Sequence, residues 1–210
     1  MQTLVLCDDK WHPAQVARTG LSALGDCGFT FDWIEHAGDW SAAQMAAYPL
    51  TILVKANNVS AQDEQKWMTP EVELALQTYV RAGNGLLTIH SGTAGYSHTT
   101  VLRSLLGGVF VQHPKQCPVT VEPQQDHPLA TGSQTFTLVD EHYFMEMSDE
   151  TVDCFLHSHS EHGTQPAGWT RQEGEGRVCV LTPGHRVEVW LHPAYQTLIH
   201  NALRWCSRQL

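Results

Sequence analysis

Three histidines follow hydrophobic segments that have the character of buried strands. Residues 85–89 lead into His90, residues 177–181 lead through a short turn to His185, and His12 follows the first apolar run. The carboxyl ends of parallel strands lie at one edge of an α/β sheet, where ligands bind. Titratable side chains gathered at such an edge indicate a catalytic or binding site, so we expect the three histidines to converge there. The alternative is that each one only hydrogen-bonds its own loop.

The run Asp140-Glu141-His142-Tyr143 is a fourth candidate for chemistry. Its carboxylates could act as a general base, as oxygen ligands of a metal, or as hydrogen-bond acceptors for sugar hydroxyls. Adjacent residues of a strand point to opposite faces, so only one of the two carboxylates is expected to face a site. The same composition would also suit a solvated acidic loop.

A cluster of histidines, His157, His159 and His162, invites a metal interpretation. In a strand, His157 and His159 would share a face and could both bind zinc. The remaining ligands are not found nearby in the sequence, so a local surface feature is the favoured interpretation.

Several cofactor and nucleophile motifs are not found in the sequence. No G-x-G-x-x-G motif lies between a strand and a helix and no Walker loop occurs, so no nucleotide cofactor is indicated. The pattern G-x-S-x-G fails around Ser91, because Ile89 stands where the first glycine should be.

The composition excludes some classes of partner. The 210 residues carry a formal net charge of −10 and no cluster of basic residues, so neither a nucleic acid nor a membrane is an expected partner. The first residues lack a basic segment, and no apolar run reaches transmembrane length. The six cysteines are scattered without a Cys-x-x-Cys pair, which is typical of reduced thiols. We therefore expect a cytoplasmic protein.

The elements that must position these side chains can be inferred from periodicity. Strands alternating with helices over the first 95 residues predict a doubly wound, mostly parallel sheet flanked by helices, in one domain spanning residues 1–210. The clearest helix begins at Pro70 with Thr69 as its N-cap and ends before Gly83, and Glu71 and Glu73 suit its dipole. Further strands are expected near residues 118–121, 134–139 and 153–157, followed by a hairpin over 169–181 and a last helix from Pro193.

Seven short motifs, in this order, resemble the trehalose-utilisation (ThuA-like) family. The resemblance covers nearly the whole chain, and it implies a flavodoxin-like, class I glutamine-amidotransferase-like α/β fold. It also implies a link to disaccharide or keto-sugar catabolism, and a bound metal in some members. The motifs are Leu87–Gly92, Leu106–Gly108 with His113-Pro114, His127–Leu129, Asp140–Tyr143, Gly174–Val178, Pro183–His185 and Asn201–Trp205.

The resemblance also bears on His90. In true amidotransferases of this fold, the turn from strand to helix carries a nucleophilic cysteine, whereas this chain has His90 there. Glutamine hydrolysis by a thiol is therefore not expected, because the nucleophile is missing. The segment Pro183–His185 resembles, by its place in the chain, the strand end that delivers the amidotransferase histidine.

Residues and resemblance together predict an enzyme that moves a proton on a sugar or keto-sugar, as an isomerase or epimerase does. We assign catalysis to His90, Glu141 and His185. The same three side chains, with His12, are the candidate ligands of a divalent metal such as zinc. Substrate binding is assigned to His12, Ser91, Tyr96, Tyr143 and Arg186.

Two other interpretations remain open. The chain could be a non-catalytic module that binds a sugar or metal in the same cleft, and Tyr96, Tyr143 and Trp190 would suit sugar stacking in either case. Alternatively, the histidines could pack in the interface of a homo-oligomer. The sequence identifies neither the substrate nor the metal.

Overall fold

Strands and helices alternate through the first part of the chain, as the hydrophobic pattern of the first 95 residues predicts. The structure is a computed structural model that describes residues 1–148 and 151–210. The strands are β1 Gln2–Cys7, β2 Thr30–Ile34, β3 Leu50–Val54, β4 Gly85–Ile89, β5 Gly108–Gln112, β6 Cys117–Pro123, β7 Phe136–Asp140, β8 Phe144–Met147, β9 Asp153–Ser160, β10 Gly163–Glu173 and β11 Gly176–Leu181. The helices are α1 Ala14–Ser22, α2 Ala42–Met45, α3 Pro70–Arg81, α4 Thr100–Leu106, α5 Val187–Trp190 and α6 Pro193–Cys206.

Nine of these strands form one mixed sheet in the order β2-β1-β3-β4-β11-β10-β9-β6-β7. In the first part of this order, from β2 to β11, every pair of neighbouring strands is parallel. From β11 to β7 every pairing is antiparallel. The α/β class is therefore confirmed, but the expected mostly parallel sheet is parallel only in one half.

The antiparallel half has a simple physical cause. Parallel neighbours need a long crossover, normally a helix, whereas antiparallel neighbours can be joined by short turns. Among the described residues from 117 to 173, the only helical segment is a single 3-10 turn at Pro128–Ala130. These strands therefore pair through hairpins and loops.

The sheet separates two apolar cores. Alternate residues of β1 point to opposite faces, so that Val5 packs in one core and Leu4 in the other. Helices α1, α5 and α6 cover the first face, and α2, α3 and α4 cover the second. Among the described residues, no helix is both long and apolar enough to cross a membrane. The six cysteines are free thiols.

Helix α3 begins and ends as predicted, but Glu73 does more than favour its dipole. The Thr69 hydroxyl accepts a hydrogen bond from the Val72 amide at 3.4 Å, which is the expected N-cap. The carboxylate of Glu73 is buried and accepts the amides of Val101 and Leu102 at 2.7 and 2.8 Å. Glu73 therefore caps α4 from a neighbouring helix.

Strands β5 and β8, which periodicity does not reveal, form a separate antiparallel pair. Strand β5 carries Phe110 and leads to His113, while β8 directly follows Tyr143. This pair therefore places one aromatic wall beside the carboxyl ends of the parallel strands.

Candidate functional site

Four side chains from separate parts of the chain meet at the carboxyl edge of the parallel strands. His12 follows β1, His90 follows β4, Glu141 follows β7 and His185 follows β11. One nitrogen or oxygen atom from each lies within 4.8 Å of the others. The structure thus brings together the three histidines and the carboxylate that the strand ends predict.

His12, Glu141 and His185 line a cavity of about 530 Å³, while His90 is buried next to them. This volume is within the usual range for small-molecule sites. The wall beside the cluster is aromatic, and small residues on the opposite side leave room for a ligand. The lining side chains are Trp11, His12, Ala56, Asn58, Ala94, Gly95, Phe110, His113, Glu141, Tyr143 and His185.

His90 occupies a strained turn between β4 and a 3-10 turn at His90–Thr93. Its φ is +46°, in the left-handed region that non-glycine residues seldom adopt. The turn packs closely on β3, because a Cβ on Gly92 would lie 2.1 Å from the Leu53 carbonyl oxygen. His90 Nδ1 lies 2.8 Å from the Thr182 carbonyl oxygen, which can only accept. Nδ1 therefore carries the proton, and in the neutral ring Nε2 keeps a lone pair.

His12 is held by a buried carboxylate in the same way. Its Nδ1 lies 2.8 Å from Asp9 Oδ1, which also accepts the backbone amides of Trp11 and His12. Asp9 Oδ2 accepts the Ala56 amide at 2.8 Å. Burial acts to raise the pKa of Asp9, but these hydrogen bonds outweigh it and the pKa is lowered. Burial lowers the pKa of His12, which favours a neutral ring with its lone pair on Nε2.

Glu141 lies among the histidines. Its oxygens are 3.2 Å from His185 Nδ1, 3.5 Å from His90 Nε2 and 3.5 Å from His113 Nε2. Burial acts to raise the pKa of Glu141, but its contacts with His185 and His90 hold the pKa well below its usual range. Contact with Glu141 in turn raises the pKa of His185, against the effect of burial.

Asp140 points away from the cavity, as the alternation along a strand predicts. Its buried carboxylate accepts the backbone amides of Gly184, His185 and Arg186 at 2.8, 3.1 and 3.3 Å. Burial raises the pKa of Asp140. Asp140 therefore fixes the loop that carries His185, while its neighbour Glu141 enters the cluster.

Two ring nitrogens in the cluster have unused hydrogen-bonding capacity. His90 Nε2 and His185 Nδ1 are buried and have no hydrogen-bond partner among the described residues; each has only an ion-pair contact with Glu141, at 3.5 and 3.2 Å. Leaving a buried polar atom unpaired is unfavourable by about 1–3 kcal/mol. Three imidazoles and one carboxylate are a usual donor set for zinc and similar divalent ions. The residues present therefore fit a metal.

Of the other predicted binding residues, Tyr143 is the one at the cavity. Its ring stacks on His90 with 4.1 Å between centroids and also contacts Phe110 and His113. Ser91 is fully buried behind the histidines, and its hydroxyl has no partner among the described residues. The structure therefore does not bring Ser91 to the cavity wall.

Three further expectations about substrate contact are not met by the geometry. Tyr96 is fully buried and donates its hydroxyl to the Lys55 carbonyl oxygen at 2.6 Å. Trp190 is also buried and donates its indole N–H to the Gly184 carbonyl oxygen at 2.7 Å. The exposed Arg186 side chain contacts Glu188 and does not line the cavity. Tyr96 and Trp190 stabilise the loops around the cluster instead.

The histidines of β9 and the following turn lie outside the cluster. His159 contacts Glu122 through Nε2 at 2.8 Å and Thr164 through Nδ1 at 2.9 Å. His157 lies 3.7 Å from the Cys154 sulfur, and His162 contacts Glu161. Their side chains are occupied by local partners, which supports the interpretation as a surface feature.

The sequence interpretation did not assign a role to several residues of the site. His113 was noted only as part of a motif, and Trp11, Asn58 and Phe110 were not considered. Asp9, which lies two residues after the end of β1 at Cys7, was also missed. A useful signal would have been its spacing from His12, because an Asp three residues before a His can fix the ring.

The mixed sheet, the strained turn at His90 and the strand-end cavity define an α/β protein with a cluster of three histidines and one glutamate in its cleft. The chain belongs to the trehalose-utilisation (ThuA) family, whose model matches residues 4–206. No curated protein sequence matches it significantly.

Solved structures share the fold at low sequence identity. A ThuA-like protein from Bacteroides uniformis is 20% identical with a TM-score of 0.75, over 98% of this chain and 91% of that one. A ThuA-like protein from Parabacteroides merdae is 14% identical with a TM-score of 0.74, over 99% and 90%. A cytoplasmic protein from Salmonella typhimurium is 15% identical with a TM-score of 0.72, over 98% and 99%.

Proposed function

We propose that this chain is a metal-assisted enzyme that moves a proton on a sugar or keto-sugar. The observation that carries the proposal is the cluster of His12, His90, Glu141 and His185 beside a cavity large enough for a small ligand. A divalent ion such as zinc, held by these four side chains, would polarise a carbonyl or hydroxyl oxygen of the substrate.

His113 is the cavity residue best suited to carry the proton. Its Nδ1 lies 2.7 Å from the Pro114 carbonyl oxygen, which can only accept, so Nε2 of the neutral ring carries the lone pair. Nε2 lies 3.5 Å from Glu141 Oε1, and His113 lines the cavity. It can take a proton from a sugar carbon or hydroxyl, and the Glu141 carboxylate stabilises the imidazolium that forms.

A neutral sugar suits the rest of the cavity. The aromatic rings of Phe110 and Tyr143 offer flat apolar surface, and the amide of Asn58 offers hydrogen bonds to hydroxyls. Among the described lining residues there is neither a lysine nor an arginine to pair with a phosphate or a carboxylate. The family description, trehalose utilisation, points to the same class of substrate.

Thiol chemistry has no support in this cavity. The strand order β2-β1-β3-β4-β11 and the strained turn at His90 support the likeness to amidotransferases proposed from the sequence. The nearest thiol behind the histidines is Cys7, and burial raises the pKa of this thiol to about 12. A neutral buried thiol is a poor nucleophile, so we propose no glutaminase activity.

A cytoplasmic location is part of the proposal. It is supported by the free cysteines of this chain and by the similar structure from Salmonella typhimurium, which is described as a cytoplasmic protein.

The proposal is tested by metal analysis of the purified protein beside His90→Asn, His185→Asn and the control His159→Asn. We expect about one zinc or similar ion per chain in the wild type and in the control, and at least tenfold less in the two cluster variants. His159 is a fair control because its contacts lie on β9, away from the cluster.

The same proteins and a further variant, His113→Gln, are then incubated with keto-sugars in deuterium oxide, and exchange at carbon is followed by NMR. Exchange in the wild type that is lost in His113→Gln, with the metal retained, supports the enzyme. Bound metal and sugar without exchange would identify a non-catalytic binding module. Equal metal content in all variants would overturn the assignment of the cluster.

A further inference from the structure

Trp11 is an exposed aromatic side chain at the mouth of the cavity. It is 65% exposed, more than any other large hydrophobic side chain among the described residues. This exposed ring lines the cavity, so it is open to a ligand that enters there. In contrast, Tyr143 beside the cluster is 2% exposed. The cavity therefore has two aromatic platforms at different depths.

The loop that carries Trp11 is held rigidly. The Trp11 amide donates to the buried Asp9 carboxylate at 2.9 Å, and residues Asp9 and His12 exchange two backbone hydrogen bonds. Lys10 places its ammonium group 5.0 Å from the centre of the Trp11 ring and pairs with Glu64 at 2.5 Å. An exposed ring on a fixed loop can bind a ligand at little cost in ordering.

The cavity offers room for more than the reacting ring. Its volume of about 530 Å³ exceeds that of one hexose, and the His/Glu cluster lines only part of it. A sugar ring placed against the cluster meets Tyr143, which stacks on His90. The outer part of the cavity, lined by Trp11 and Asn58, is then left for a second group.

We propose that Trp11 forms a second sugar subsite, which stacks on the distal ring of a disaccharide or glycoside while the reacting ring lies at the cluster. This inference rests on the proposed function, because it needs the first ring at the metal. Asn58 supplies an amide for the hydroxyls of the distal ring. No covalent step takes place at this subsite; it selects two-ring over one-ring ligands.

The experiment compares the binding of trehalose and methyl α-D-glucoside to zinc-loaded protein by calorimetry. The variants are Trp11→Ala, Trp11→Tyr and Leu74→Ala, a control at an exposed side chain of α3 outside the cavity. We expect Trp11→Ala to weaken trehalose binding about tenfold or more and to leave the glucoside unchanged. Trp11→Tyr restores most of the loss, because a flat ring returns, and Leu74→Ala has no effect.

Fluorescence gives a second readout. Trp11 is the most exposed tryptophan among the described residues, and subtracting the emission spectrum of Trp11→Phe from that of the wild type gives the emission of Trp11 alone. This Trp11 emission should shift to the blue when trehalose is added and should not shift with the glucoside. Equal weakening of both sugars by Trp11→Ala, or no weakening of either, would overturn the subsite alone. A wild type that binds neither sugar but still exchanges keto-sugars would overturn the subsite alone, and one that does neither would remove the proposed function as well. A wild-type dimer that Trp11→Ala dissociates would show instead that Trp11 contacts a second copy.

Discussion

At the scale of single residues, the cluster is shaped by groups that hold the histidine rings from behind. Asp9 binds Nδ1 of His12, and the Thr182 carbonyl oxygen binds Nδ1 of His90. Each contact leaves Nε2 with its lone pair, which is the form that a metal requires. The site is therefore arranged by acceptors that do not themselves enter the cavity.

Replacing Asp9 by Asn should weaken metal binding without removing a ligand. Both carboxylate oxygens accept hydrogen bonds, from His12 on one side and from the Ala56 amide on the other. An amide puts an N–H donor in one of these places, so either His12 loses its orientation or Ala56 loses its acceptor. We expect a fall of about 10- to 100-fold in zinc affinity, measured by competition with a fluorescent chelator.

Asp8→Asn is the matched control for this experiment. Asp8 has φ +71°, which Asn tolerates, and its side chain accepts from Ala14 without contacting a cluster residue. Asp9→Asn should also move the proton of His12 in a ¹⁵N NMR spectrum. Equal zinc affinity in Asp9→Asn and the wild type would contradict the role of Asp9.

The contact between Glu141 and His185 should make stability depend on pH when metal is removed by a chelator. The pKa of Glu141 is lowered from 4.5, so its contribution is present above that pH and is lost as pH falls through the folded pKa. The pKa of His185 is raised from 6.5, so its contribution is complete below that pH and is lost as pH rises through the folded pKa. The contact therefore stabilises the fold most between these two values.

Urea unfolding of the chelated wild type and Glu141→Gln tests this dependence. The wild-type advantage in free energy should be greatest near pH 5.5 and should shrink by about 1 kcal/mol as the pH rises to 8.5. Glu141 also faces His90 and His113, at 3.5 Å from Nε2 of each ring. If the difference in free energy of unfolding between the wild type and Glu141→Gln stays constant with pH, the contact between Glu141 and His185 does not depend on the charges of the two side chains.

At the scale of elements, α4 depends on a cap from another helix. Glu73→Ala leaves the amides of Val101 and Leu102 without their buried acceptor, so we expect a loss of about 2 kcal/mol in the free energy of unfolding. Glu71→Ala is the control, because Glu71 is exposed and lies one position after the start of α3, the helix that also carries Glu73. This variant should change the free energy of unfolding by less than about 0.5 kcal/mol. Urea unfolding measures both, and faster exchange of the Val101 and Leu102 amides would locate the effect.

The role of α4 in this result can be checked with Glu73→Gln. The amide oxygen of Gln can still accept a hydrogen bond, so this variant should lose less stability than Glu73→Ala. Equal stability of Glu73→Ala and Glu71→Ala would show that the buried carboxylate does not cap α4.

Elements defined by local residues could be predicted from the sequence. Thr69 and Pro70 mark the start of α3, and the apolar run 85–89 that leads into His90 is β4 in the structure. Pairing between distant segments could not be predicted, because β5 and β8 are short and Gly108 pairs with Met147 across 39 positions. The cap from Glu73 to α4 was missed for the same reason.

The candidate site was predictable where it depends on strand ends and unpredictable where it depends on burial. His12, His90, Glu141 and His185 follow strands, so their meeting could be inferred from the pattern. Tyr96 and Trp190 have an apolar body and a polar tip, and such side chains suit a core as well as a sugar site. Only the packing shows that they are buried.

At the scale of the whole molecule, the two halves of the sheet have different roles. The parallel half delivers His12, His90 and His185 from its strand ends. The antiparallel half and the β5/β8 pair bring Glu141, Tyr143 and His113 against these histidines. The cluster is complete only when both halves are folded, so bound metal should stabilise the molecule as a whole.

Anomalous X-ray diffraction at the zinc edge, from crystals of the zinc-loaded protein, tests the central claim most directly. We predict one strong peak per chain, about 2.0–2.2 Å from ligand atoms of His12, His90, Glu141 and His185. His113 and His159 should carry no peak. The absence of a peak at the four side chains, or a peak elsewhere in the chain, would contradict the account.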